Sequence, residues 1–235
     1  MTIMPNRILL LVFLSSCFIN GQAQSDKGYV GFSAGMAAPL GDFNEAKPFN
    51  ANSGYAQPGL SLELSTGILL GEILGVAGLI RRQSHSIAED AYLSRYTFPS
   101  AYTVTSENYR ITSFLGGFYT SLPLNEVLTL DFRILAGLSL MRTPLIEVVR
   151  NGTFNSEPVS RVAPRTNESF SFNAGTGLRY ALGAKICLLL AIDFWSAGSD
   201  LYGSGNNQQS GSSQTGTTSE LMSLNTVLGL AWRFD

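Results

Sequence analysis

Leu128-Thr129-Leu130-Asp131-Phe132-Arg133-Ile134-Leu135-Ala136-Gly137-Leu138-Ser139-Leu140 puts apolar side chains at every even number, and polar, small or charged ones at all odd numbers but Leu135. A period of two places successive side chains on opposite faces of a β-strand. The stretches Leu60–Ile68, Phe170–Tyr180 and Met222–Phe234 repeat the pattern. Weaker segments bring the count to eight strands, near 28–38, 57–69, 73–84, 109–121, 127–141, 168–181, 185–196 and 220–234. Leu79 and Phe114 interrupt the alternation of the third and fourth strands, whose facing the pattern leaves open.

The connections carry as much information as the strands. Tight turns fall around Leu70-Gly71-Glu72, Leu122 to Glu126 and Leu182-Gly183-Ala184, and long connections occupy roughly 39–56, 85–108, 142–167 and 197–219. Long and short connections alternate strictly, so all long loops gather at one end. That asymmetry belongs to outer-membrane barrels, with short periplasmic turns and long external loops. A soluble eight-stranded barrel is the alternative. The polar face separates the two, because it is rich in small residues (Gly31, Ser33, Gly35, Ser65, Gly67, Gly137, Gly175, Gly177, Gly229) and carries scattered charges. A water-facing surface is normally densely charged, whereas the crowded axis of eight strands favours small side chains. The other face is bulky and uncharged along four strands, as lipid contact requires. The expected fold is all-β: a closed, eight-stranded, antiparallel, up-and-down transmembrane barrel.

Composition agrees. Charged residues are 14% of 235 and apolar residues 45%, with 24 Gly, so the chain is neither disordered nor a coiled coil. Fifteen basic against 17 acidic residues give no basic surplus for nucleic acid. One His and two Cys do not make a His/Cys metal site, and no cofactor is expected. Gly175-Thr176-Gly177 opens no helix and is not a nucleotide loop.

Arg7, the apolar run Ile8–Ile19 and the small residues of Gly21-Gln22-Ala23 describe a secretory leader over 1–23, leaving 24–235 as the barrel domain. The run falls short of the roughly 20 residues of a spanning helix. Leu14-Ser15-Ser16-Cys17 resembles a bacterial lipoprotein box and offers lipidation at Cys17 instead. Cleavage after Ala23 would leave only Cys187 in the mature chain and no disulfide.

The start Gly28-Tyr29-Val30-Gly31-Phe32-Ser33-Ala34-Gly35, the eight-strand pattern and the end Gly229-Leu230-Ala231-Trp232-Arg233-Phe234 resemble the small outer-membrane barrels of the OmpA/OmpX-like superfamily, particularly the PorT-like group of Bacteroidetes-type bacteria. The terminal aromatic resembles the signal read by the barrel-assembly machinery, although Asp235 follows it. The resemblance covers the mature chain and implies location in the bacterial outer membrane. It does not fix an activity, because such barrels serve as anchors, adhesins, secretion components and lipid-modifying enzymes.

Three groups of residues carry chemistry. Glu63, Asp131, Arg133, Arg179, Asp193 and Arg233 lie on the inward face, with Arg81 or Arg110 as further candidates. They are read as a structural salt-bridge core, with a gate or proton path as the alternative. His85 stands beside Ser84 and Ser86, with Glu89 and Asp90 nearby, the ingredients of a rim hydrolase. Neighbours in a strand point to opposite faces, which argues against that use. Tyr92, Tyr96, Phe98 and Tyr102 give the second long loop the make-up of an external recognition surface. The expected function is non-enzymatic: a structural or interaction role through the external loops, in contact with outer-membrane lipid and a protein partner. A narrow channel, transporter or secretion-machinery component is the alternative, and a lipid-modifying rim hydrolase comes third.

Overall fold

The computed structural model describes residues 27–48, 50, 52–152, 158–199 and 219–234. The leader, Cys17 and most of the last long loop lie outside them. Eleven strands run in chain order: β1 Gly28–Leu40, β2 Gly59–Leu69, β3 Leu74–His85, β4 Tyr102–Ser106, β5 Tyr109–Pro123, β6 Leu128–Arg142, β7 Ile146–Arg150, β8 Ser160–Val162, β9 Thr166–Ala181, β10 Ile186–Ser199 and β11 Ser219–Phe234. Among the described residues one short α-helix, α1, spans Glu89–Leu93.

Eight strands close into a barrel in the order β1-β11-β10-β9-β6-β5-β3-β2, every pair antiparallel. Each long strand expected from the alternation is present, with ends within about three residues. The loops depart from expectation. β4, β7 and β8 form a separate three-stranded sheet over the long-loop end. Its signal was the β-branched runs Thr103-Val104-Thr105 and Ile146 to Val149, too short to stand out beside the barrel strands.

Three turns of four residues, 70–73, 124–127 and 182–185, join neighbouring strands. All close alike: Leu70, Leu124 and Leu182 donate their N–H to the carbonyl four residues on, at 2.9, 2.8 and 2.9 Å. An even turn length keeps parity. Odd-numbered residues pair with odd-numbered ones across all eight seams, as in Tyr29↔Gly67, Ala77↔Gly117 and Leu135↔Asn173. Directly opposed residues traced once around from Tyr29 (Gly67, Ala77, Gly117, Leu135, Asn173, Trp195, Ser223) return to β1 at Pro39. That stagger tilts the strands by roughly 35–45° to the barrel axis.

Odd numbers face the lumen and even numbers face out. The open question of the third and fourth strands is thereby answered: Leu79 is inside at 2% exposure and Phe114 outside at 49%. The outward face is a belt of exposed Phe32, Leu64, Ile80, Phe118, Ile134, Leu138, Leu190 and Leu228. An apolar surface of this extent belongs in hydrocarbon, where closure leaves no ladder edge unpaired.

Ile134 lies in the middle of β6 on this belt. Ile134→Arg is expected to cost about 2–4 kcal/mol of folding stability in lipid vesicles, measured by denaturant titration, whereas Ile134→Leu stays within about 1.5 kcal/mol.

Candidate functional site

Inside the barrel, charge is neutralised in two separate clusters. In the hairpin of β2 and β3, Glu63 and Arg81 are direct partners, and Arg81 Nε donates to Glu63 Oε1 at 2.7 Å. The same guanidinium reaches across the lumen to Asn173 Oδ1 at 2.7 Å and Asp193 Oδ2 at 2.8 Å. Arg133 completes the ring from β6. Its Nε donates to Asp193 Oδ1 at 2.8 Å, and its Nη2 to Glu63 Oε2 at 3.2 Å and to Asp193 Oδ2. Two arginines and two carboxylates thus alternate, with Asn173 Nδ2 donating to Asp193 at 3.1 Å. Arg81 and Asp193 are wholly buried.

Gly175 makes this closure feasible. It lies opposite Arg133 on one side and Asp193 on the other. A Cβ there would sit 1.7 Å from Asp193 Oδ1. With no side chain on β9 at that point, guanidinium and carboxylate meet over the backbone.

The second cluster lies nearer the short turns. Arg179 Nε donates to Asp131 Oδ2 at 2.6 Å and Nη2 to Oδ1 at 3.1 Å, a forked pair. Nη2 also reaches Tyr119 Oη and Ser121 Oγ, both at 2.8 Å, and Tyr119 donates to Asp131 at 3.0 Å. The guanidinium carbon stands 4.7 Å from the centre of the Tyr29 ring, a cation–π contact. Gly67 leaves space for this aromatic pair, since a Cβ there would come within 2.7 Å of Tyr29 and 3.1 Å of Tyr119.

Polar and apolar layers fill the remaining length. Gln83 Nε2 crosses to Ser223 Oγ at 3.0 Å and Asn225 Oδ1 at 2.6 Å. Ser113, Ser139 and Ser171 link hydroxyls at 2.6 and 2.8 Å. Trp195, Ile111, Met141 and Leu221 are buried above them.

The external mouth is closed by aromatic side chains. Phe43, from the 3-10 turn Gly41–Phe43, is fully buried and meets His85 and Tyr109 edge-on, with ring centres 5.1 and 5.3 Å apart. Tyr109 Oη donates to Gly54 O at 2.9 Å. Tyr55 packs on Tyr92 at 5.5 Å and donates to Lys47 O at 2.8 Å. Burial pushes the Tyr92 phenol above its ordinary pKa.

The structure therefore sorts the candidate residues. Glu63, Arg133 and Asp193 come together with Arg81, and Asp131 with Arg179. Arg233 joins neither cluster: it sits at the short-turn rim, donating to Gly183 O at 2.8 Å and Ala184 O at 3.1 Å. β11 has its last residues there, beyond the depth of either cluster. Arg110 points outward. Of the tyrosine loop, Tyr92 is buried in the cap, Tyr96 and Tyr102 pack on each other at 5.0 Å, and Phe98 is 72% exposed. His85 is buried, with Nδ1 donating to Gln57 O at 3.0 Å. The neighbouring serines turn elsewhere: Ser86 Oγ donates to Gln57 Oε1 at 3.1 Å, and Ser84 Oγ accepts from Asn108 at 3.4 Å. The imidazole is walled by Phe43 instead. Phe43 and Tyr55, which build the cap, do not stand out in the sequence, because isolated aromatics in a loop have no period to betray them.

A closed, eight-stranded transmembrane barrel of the outer-membrane type, with a filled lumen, is the class these features define. Among solved structures, the chain is similar to the crystal structure of Neisserial surface protein A, at 15% identity over 88% of this chain and 97% of that one, with a TM-score of 0.51. It also matches a major outer membrane protein from Thermus thermophilus (11% identity, 88% and 99% covered, TM-score 0.48) and Ail, the attachment invasion locus protein of Yersinia pestis (12%, 88% and 99%, TM-score 0.46). At such identities the likeness is one of fold. No family model matches the sequence, and no curated protein matches it.

Arg81→Leu strands two buried carboxylates beside one guanidinium and is expected to cost about 3–5 kcal/mol in denaturant unfolding. Arg233→Ala, at the rim, should cost about 1 kcal/mol. Gly175→Ala should cost about 1–3 kcal/mol by displacing Asp193, against a negligible effect for Gly71→Ala, where a Cβ meets nothing within 4 Å.

Proposed function

We propose that the protein is a PorT-like member of the OmpA/OmpX-like outer-membrane barrels, acting as a structural or interaction protein through its external surface and passing no solute. The observation that carries this reading is the filled lumen: two neutral ion clusters and an aromatic cap occupy the axis from the short turns to the long loops. Eight strands enclose room for side chains only, whereas aqueous porins use 16 or more. Buried, hydrogen-bonded ion pairs resist opening, because separating one exposes an uncompensated charge.

The PorT-like assignment is supported by the strand pattern, the Gly28–Gly35 opening and the aromatic end at Trp232 and Phe234. The barrel-assembly machinery is then a partner in biogenesis. A catalytic role at the rim gains no support from His85, whose imidazole is enclosed by Phe43 and the Gln57 carbonyl. The external surface has the properties of a contact face instead. Phe98 and Val159 are exposed at 72% and 56%, and the β4-β7-β8 sheet gives the loops a fixed shape.

In cells the mature chain is expected in the outer-membrane fraction, with heat-modifiable migration in detergent gels. Purified protein in planar bilayers should show no stable porin-like conductance. Recovery as a soluble periplasmic monomer, or a large reproducible open state, would overturn the reading. Phe43→Ala is expected to loosen the cap, raising proteolysis within 86–108 severalfold while the barrel stays heat-modifiable.

A further inference from the structure

Three arginines of the barrel strands face away from the lumen. Arg82 on β3, Arg110 on β5 and Arg142 on β6 carry even numbers, point outward and are exposed at the external ends of adjacent strands. Arg110 and Arg142 are directly opposed partners, a spacing at which like charges repel. Arg82 stands opposite Thr112, two residues from Arg110, a diagonal of about 7–8 Å that long side chains span. The acidic neighbours lie on the Arg142 side. Glu107 is 3.6 Å from Arg142, both half exposed, and Glu168 stands opposite Leu140. Among the described residues, neither Arg82 nor Arg110 makes an ion pair.

Below these arginines the same strands turn apolar and then small. Ile80 and Phe114 are opposed partners on the belt. Next along, Thr66, Gly78, Gly116 and Ala136 form a row of small outward residues across β2, β3, β5 and β6. These glycines differ from Gly175, which relieves a clash. A Cβ at Gly116 would meet only Ala77 O at 3.8 Å, and one at Gly78 would meet Thr66 at 3.3 Å and Leu115 O at 3.9 Å. At the β2–β3 end of this row, over Thr66 and Gly78, lies an open groove of about 560 Å³ in the belt, walled by Val30, Leu64, Ile80 and Phe114. Arg82 stands four residues from Gly78, about 13 Å along β3 at roughly 3.3 Å per residue.

We propose that this face is a binding site for one phosphate-bearing lipid of the outer leaflet. The guanidiniums of Arg82, Arg110 and Arg142 hold the phosphate with forked, charge-assisted hydrogen bonds, and an acyl chain lies in the groove over Thr66 and Gly78. Phosphate binding relieves the repulsion between the paired arginines, and the chain fills a groove that would otherwise interrupt the belt. The site rests on the membrane-spanning reading, which the heat-modifiable migration of the same samples checks separately.

The test is native mass spectrometry of the purified full chain in detergent, titrated with diphosphoryl lipid A, its dephosphorylated form and inorganic phosphate. The unmutated chain should retain one diphosphoryl lipid A, with the dephosphorylated form and inorganic phosphate held far more weakly. Arg82→Gln/Arg110→Gln should weaken retention about tenfold or more, as loss of charge-assisted contacts implies. Gly78→Leu, which fills the groove, should weaken it with the arginines intact, and Arg161→Gln, on β8, should leave it unchanged. Equal retention by the double variant or by Gly78→Leu would overturn the site, as would inorganic phosphate displacing the lipid at equal concentration. If the unmutated chain migrates without heat modification, the barrel reading falls. If it is heat-modifiable but retains no lipid, only the lipid site falls.

Discussion

Everything in this molecule hangs on the seam between its first and last strands. β1 pairs with β11 along its whole length, from Gly28↔Phe234 to Leu40↔Met222. Only that pairing removes the two sheet edges, and in hydrocarbon an unpaired N–H or C=O has no water to turn to. The seam also fixes the stagger, because the other registers must return to β1 in step. With the stagger set, the tilt and the bore follow, and the bore decides what the interior can hold.

A bore this narrow holds side chains, and the chain solves the resulting packing problem with charge. Burying six ionised groups is costly unless each finds an opposite partner and its remaining lone pairs are used. Arg81, Arg133, Glu63 and Asp193 satisfy one another in a ring, and Arg179 forks onto Asp131 over the face of Tyr29. The glycines opposite them belong to the same solution. Gly175 and Gly67 are where a guanidinium or a phenol passes close to a neighbouring strand. Lumen chemistry and lumen volume are thus one constraint, met by alternating the bulkiest polar side chains with the smallest residues.

Much of this is legible in the amino-acid sequence. Leu128 to Leu140 and its three companions display their period because a lipid face demands unbroken apolar residues, so the facing of those four strands is read directly. The third and fourth strands, interrupted at Leu79 and Phe114, show their number but not their facing. Of the six inward charges, Glu63, Asp131, Arg133, Arg179 and Asp193 lie in the two lumen clusters. The exception, Arg233, has the correct parity but the wrong depth, and parity carries no depth. Arg81 was hard to place because Leu79 puts a bulky apolar residue on the inward face of the same strand. The pairs themselves depend on stagger, which no local pattern encodes. The cap was invisible for a different reason: Phe43, Tyr55 and Tyr92 meet through loop geometry, and each is one aromatic among polar neighbours. The same lack of periodicity blurred the split of the tyrosine loop into a buried half and an exposed Phe98.

The four-residue turns impose a kind of reading frame on the protein's ancestry. One residue gained or lost in 70–73, 124–127 or 182–185 would exchange odd for even in the strand that follows, turning its charged residues to the lipid and its leucines to the axis. Length can drift there only in steps of two. The long connections obey a looser rule, since a few flexible residues beyond a strand end can absorb an odd insertion before the next strand begins. Descendants of such a sequence should therefore diverge in length at the external end alone, leaving the opposite end as a fixed ruler against which the strands of distant relatives can be aligned.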